Sequence, residues 1–190
     1  MFGLCVWEVA IRELIMGSVK GHEGKENVME PQRNGKVVAE EGRALWVLGE
    51  LVTYKLASEN SGGVCSLFEV VVQPQGGPPP HIQHREDEWT FVLEGEFELL
   101  NKGRIISCGP GSLVYVPKGD LHTYKNVGQD PGTLLVGQTP GGALQAFFED
   151  VGEEAIDKSA PPVMDGPPDV ERIVEIAASH GIEMPPPPEA

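Results

Sequence analysis

The chain has 190 residues, enough for one domain with extensions and too few for several. Its 29 acidic side chains against 14 basic ones leave a formal charge of −15, which repels phosphate backbones and anionic lipid surfaces and argues against nucleic-acid or membrane-surface binding. The 24 glycines and 17 prolines fit short strands joined by tight turns better than long helices.

The first residues, MFGLCVWEVAIRELIMG, are apolar in places, but Glu8, Arg12 and Glu13 interrupt them and no small-residue cleavage site follows. They read as neither a signal peptide nor a membrane span. Val6, Val9, Ala10, Glu13 and Leu14 have the spacing of a short amphipathic helix, unless Met16 or Met29 is the biological start. Residues 17–35 are polar, glycine-rich and without period, as in a linker. Residues 1–43 are therefore read as an N-terminal extension.

From Ala44 the pattern changes. Nine short apolar runs, from ALWVLG through VCSLFEVVVQ and EWTFVLEG to TLLVGQ, recur before Gln138, each bounded by turn residues and rich in Val, Thr, Tyr, Phe or Trp. They predict a closed or sandwiched antiparallel barrel over residues 44–150. Gly95 reads as a bend between two strands, Asn101-Lys102-Gly103 as a hairpin and Gly109-Pro110-Gly111 as a turn. Trp89, Phe91 and Leu93 alternate on one face, to pack a core layer or a subunit contact. Residues 151–190 read as a proline-rich connector and C-terminal helix. Residues 143–151 have helical spacing, and Asp169 caps a second helix that Gly181 stops, with Ile173, Val174 and Ala177 as its apolar stripe. Cys5, Cys65 and Cys108 are odd in number and form no C-x-x-C pair, which points to a reducing, cytoplasmic setting.

Two blocks carry the candidate chemistry. GGPPPHIQHREDEWTFVLEG holds His81, Gln83, His84 and Glu88; GSLVYVPKGDLHTYKN holds Pro117, Gly119 and His122. On a strand, His81 and Gln83 share a face, and Ile82 and His84 share the other. Glu88 lies five residues past Gln83, on the wrong face unless the acidic run 85–87 bends and resets the register. His122 enters from a distant strand through a stiff turn. Two imidazoles and a carboxylate form a donor set for first-row transition metals.

The two blocks resemble the paired motifs of the cupin superfamily. His81, Glu88 and Gly95 fit the first, and Gly111, Pro117, Gly119, His122 and Asn126 fit the second throughout. The resemblance spans residues 44–140 and is nearest to small single-barrel cupins grouped with quercetin dioxygenases. It implies an all-β fold, a double-stranded β-helix jelly-roll barrel with short C-terminal helices added. It also implies metal ligands at His81, at position 83, at Glu88 and at His122, with Glu88 doubling as a catalytic proton acceptor. The family usually has histidine where this chain has Gln83, a weaker donor. The alternatives are a more weakly held metal, entry of His84 into the vacancy, or no metal.

The resemblance further implies a divalent ion (Fe, Mn, Ni or Co, with Zn possible), a small enolisable or aromatic substrate, and a homodimer. Thr90, Tyr124 and Asn126 are the pocket candidates, because each follows a ligand on its own face. Quercetin 2,3-dioxygenase-like oxygenase chemistry is one reading. A non-catalytic binding or sensing protein and a metal-dependent isomerase are the others.

Overall fold

A computed structural model of the chain describes residues 42–162, 166 and 168–186. The N-terminal helix and linker readings, Cys5, Pro167 and the last four residues lie outside these. Each of the nine apolar runs becomes a strand: β1 (Ala44–Val47), β2 (Glu50–Leu56), β3 (Ser66–Val72), β5 (Asp87–Glu94), β6 (Phe97–Asn101), β7 (Arg104–Cys108), β8 (Leu113–Val116), β9 (Leu121–Asn126) and β10 (Gly132–Thr139). A tenth, β4 (His81–Gln83), is only three residues long and carries the first motif.

The strands form two antiparallel sheets. Their orders are β11-β1-β2-β3-β10-β5-β8 and β12-β4-β9-β6-β7, where β11 is Glu153–Glu154 and β12 is Ile182–Glu183. The all-β expectation is met. Alternation sets which side chains face inward: β3 buries every second residue, including Phe68, Val70 and Val72. These meet Leu45, Val52, Val92, Phe97 and Leu134 in one core, where Phe68 packs edge-on against Tyr54 at 5.0 Å between ring centres. Trp89 and Phe91 are half-buried on the outer face, and the Trp89 ring lies over Gly137, its partner on β10, where a side chain would overlap it.

The turns form where turn chemistry places them. Lys102 and Gly103 both have positive φ between the paired Asn101 and Arg104, the two-residue hairpin the sequence signals. Gly95 has φ 91°, and a Cβ there would come within 2.8 Å of the Gly132 Cα, so the bend needs glycine.

Among the described residues three helices accompany the sheets: α1 (Ser58–Ser61), α2 (Ala143–Val151) and α3 (Val170–Ser179). Asp169 caps α3 by accepting from the Arg172 N–H at 3.1 Å, and Gly181 follows its end with φ 79°. The buried stripe of α3 differs from the expected one. Ala177 is buried and Ile173 and Ile176 pack with Leu144 and Phe147, whereas Val174 is turned to solvent. Val174 lies one position off the row that meets α2. The segment after residue 150 is no detached tail, because β11 pairs with β1 and β12 with β4. No helix among the described residues is long and apolar enough to cross a membrane.

Candidate metal centre

The site forms where the two sheets face each other. On the five-stranded sheet, His81 and His122 are direct cross-strand partners on β4 and β9, with ring centres 4.3 Å apart. On the other sheet, Glu88 of β5 is paired with Gln138 of β10. The chain crosses between the sheets through a bend at His84–Arg85, and that bend resets the register. Gln83 and Glu88 are both buried as a result, although they are an odd number of residues apart. The Gly119 N–H, in the turn that leads to His122, donates to the Gln83 carbonyl at 2.8 Å and holds the second motif against the first.

His81, Glu88 and His122 each offer a ligand atom, and all three atoms lie within 4.8 Å of one another. The rings are pre-set. His81 Nδ1 lies 3.0 Å from the Pro79 carbonyl and His122 Nδ1 lies 2.9 Å from the Asp120 carbonyl. A carbonyl can only accept, so Nδ1 carries a hydrogen, and in the neutral ring Nε2 keeps its lone pair. His122 Nε2 is buried without a hydrogen-bond partner and lies 3.7 Å from Glu88 Oε1. A buried polar atom left unpaired costs about 1–3 kcal/mol, which a cation at this point relieves. The residues therefore fit a divalent ion in donor type, in lone-pair direction and in the polar atom left over.

Glu88 is held by its neighbours. Gln83 Nε2 donates to its Oε2 at 2.6 Å, Gln138 Nε2 donates to the same oxygen at 3.1 Å, and Thr90 Oγ1 donates to Oε1 at 3.2 Å. Burial alone would raise the Glu88 pKa, but the nearby His122 ring, the charge of His81 and the Gln138 bond outweigh it and hold it down at about 2. Burial, and then the nearby His122, lower His81 to about 4. For His122, burial works against the charged form, but the Glu88 carboxylate more than offsets it and the pKa rises.

The other candidates divide. Gln83 faces the site: its amide nitrogen donates to Glu88, and Oε1, the atom that could ligate, is buried without a partner. His84 does not enter the vacancy: its ring is exposed, with Nε2 2.9 Å from Glu183 Oε2. Thr90 touches Glu88 and is absent from the cavity wall. Asn126 is also absent from that wall, because its amide bonds the Val72 and Asp130 carbonyls and the Gly128 N–H, fixing the turn after β9. Tyr124 does line the cavity.

That cavity, of about 90 Å³, reaches His81 and Glu88 and is walled by Val136, Leu144, Phe147, Phe148, Ile182 and Met184 among others. A single water needs roughly 10–15 Å³, so the space holds several water-sized groups. Its α2 wall is anchored by Glu86, whose buried carboxylate accepts from the Ala143 and Leu144 N–H groups at 2.7 and 2.8 Å and caps a helix whose own N-cap is glycine.

Sequence reasoning passed over three residues: Glu86, Gln138 and Glu50. Two left a signal in their phase. Gln138 continues the inward row Leu134, Val136, and Glu50 precedes the inward row Val52, Tyr54. A polar residue in phase with a buried row is a site candidate.

Comparison with known proteins agrees with this geometry. Residues 68–137 match the family described as "Cupin domain". The chain is 29% identical over 150 residues to the rhicadhesin receptor of Pisum sativum, covering 73% of this chain and 68% of that protein. It is 33% identical over 95 residues to "Probable germin-like protein subfamily 2 member 5" of Arabidopsis thaliana, covering 46% and 44%. It thus spans under half the length of the latter. Among solved structures, a "predicted oxalate decarboxylase" from Thermotoga maritima superposes with a TM-score of 0.52 at 15% identity, covering 56% of this chain and 99% of that one, which is a likeness of fold. Residues 68–137, which hold all three candidate ligands, are thus similar to the cupin domain, and the likeness in fold extends over 56% of the chain.

Proposed function

We propose that this chain is a metal-dependent cupin enzyme whose chemistry is of the oxygenase type, acting on a small enolisable or aromatic compound. The observation that carries the reading is the convergence of two imidazoles with free Nε2 lone pairs and one ionised carboxylate at the end of an apolar cavity. His81, Glu88 and His122 would hold the ion, and three protein ligands leave positions open for a substrate oxygen. Bound there, a divalent iron, manganese, nickel or cobalt ion polarises that oxygen as a Lewis acid and lowers the cost of removing its proton. The chain's own part is to orient the rings through the Pro79 and Asp120 carbonyls, to fix the carboxylate through Gln83, Gln138 and Thr90, and to exclude water with the α2 wall. With its pKa near 2, Glu88 suits ligation better than holding a proton at neutral pH.

One observation favours a second reading, a binding or sensing role without turnover: position 83 contributes an amide directed at Glu88 where a fourth strong ligand would tighten the ion. Metal analysis of the untagged protein beside Gln83→His, followed by O₂ uptake with flavonols and other enolisable compounds, separates the two. We expect stoichiometric metal, O₂ uptake, and at least about tenfold tighter metal binding in the variant. Metal without uptake, with compounds that only raise the melting temperature, supports the binding role. Product without O₂ consumption indicates an isomerase.

The setting we propose is cytoplasmic, supported by unpaired thiols at Cys65 and Cys108. A homodimer is supported by Ile105 on edge strand β7 and by Leu113 and Tyr115 on edge strand β8, all more than half exposed. Sedimentation is expected to give twice the chain mass, and a monomer at micromolar concentration would remove this expectation.

A further inference from the structure

We propose that the cavity selects an uncharged, largely apolar molecule whose hydrogen-bond donor is received by Glu50, while its other polar end faces His81 and Glu88. This deepens the reading above and rests on it for the metal-facing end only.

Glu50 opens β2, in phase with the inward Val52 and Tyr54, and its carboxylate lines the cavity. Tyr124 Oη donates to its Oε2 at 2.8 Å from the opposite sheet. Its second oxygen, Oε1, is shielded from solvent and has no partner. Tyr124 therefore fixes the carboxylate and leaves one acceptor free in an apolar space. A donor on a bound molecule satisfies that acceptor, and an ether or a carboxylate there leaves it unpaired.

The rest of the wall decides the charge. Among the described residues no Lys or Arg lines the cavity, and its charged groups are the carboxylates of Glu50 and Glu88. An ion held by the triad offsets Glu88 and leaves the Glu50 end negative. A second anionic group on the ligand would lose its hydration there without meeting a cation. Burial, opposed by the Tyr124 bond and assisted by the charge of Glu88, raises the Glu50 pKa to about 7, so working at pH 8 favours the ionised acceptor.

Calorimetry at pH 8 on the full chain tests this with hydroquinone and 1,4-dimethoxybenzene, which present the same group at both ends, and with 4-hydroxybenzoate, whose carboxylate meets Glu50 or Glu88 in metal-free protein whichever way it lies. Each titration is run on Co²⁺-loaded and on metal-free protein, with metal content measured. In the metal-free protein we expect hydroquinone to bind at least about tenfold more tightly than either analogue. In Glu50→Gln the gap to 4-hydroxybenzoate should narrow to under about threefold with metal content unchanged, because the repelling charge is gone. Equal or tighter binding of 4-hydroxybenzoate by the metal-free wild type, an unchanged gap in the variant, or no binding of any probe overturns the proposal even if metal is stoichiometric. The wild-type series decides without any variant. Absent metal uptake with the order of probes kept in the metal-free protein sinks the metal reading and supports the role of Glu50.

Discussion

Replacing His122 by alanine is expected to weaken Co²⁺ or Fe²⁺ binding by more than roughly 100-fold, beyond the 10–100-fold that loss of an outer-shell partner costs. The variant removes one of three side-chain donors and leaves Glu88 with its hydrogen bonds but without the ring 3.7 Å away. The control is His84→Ala, which should leave metal affinity unchanged, because that ring is exposed against Glu183. Equilibrium dialysis with metal analysis reads both. Full metal content in His122→Ala, or equal losses in the two variants, would show that the ion is held elsewhere. The same ring makes binding sensitive to acid. Imidazole binds metal only when neutral, and His122 holds its proton to a pH above the ordinary 6.5, so affinity should rise as pH climbs through that region and fall below it.

Gly77→Ala should destabilise the fold by about 3 kcal/mol or more and loosen the metal site together. Gly77 has φ 147°, a conformation that side chains rarely adopt, and a Cβ there would overlap the Tyr124 carbonyl. The overlap is with backbone of β9, which cannot turn aside as a side chain can. The segment that Gly77 starts carries two contacts to the site: the Pro79 carbonyl sets the His81 tautomer, and the Pro78 carbonyl accepts from Thr123 Oγ1 at 2.5 Å. Gly62→Ala is the matched control, also at positive φ but with open space around it, and should cost about 1 kcal/mol. Urea unfolding of the pair measures the difference. Similar midpoints would mean that the Gly77 segment can shift away from β9 at little cost.

The architecture was legible in the sequence to the extent that it is local. Short apolar runs rich in strand formers and bounded by turn residues marked the nine strands, Asn101-Lys102-Gly103 its hairpin, and Asp169 its cap, because strand propensity, turn and cap chemistry act over a few residues. The three candidate ligands were legible through motif spacing, which reflects the same local geometry repeated at two places. Position 83 was legible as a departure, but its effect was not. Whether Gln83 meets an ion or a carboxylate depends on β5, which the bend at His84–Arg85 swings onto the other sheet.

By itself, then, the sequence determined the strands, their turns and which side chains share a face, since each follows from alternation along one stretch of chain. Only the tertiary structure decided that Glu50 and Tyr124 meet across the cavity, that the Asn126 amide reaches the Val72 carbonyl, that Glu86 caps a helix 57 residues away, and that β11 and β12 extend the two sheets. The physical reason is that these pairings join residues far apart in the chain, where neither period nor propensity carries information. They form because a buried carboxylate or amide must find a partner from whichever strand the packing brings near.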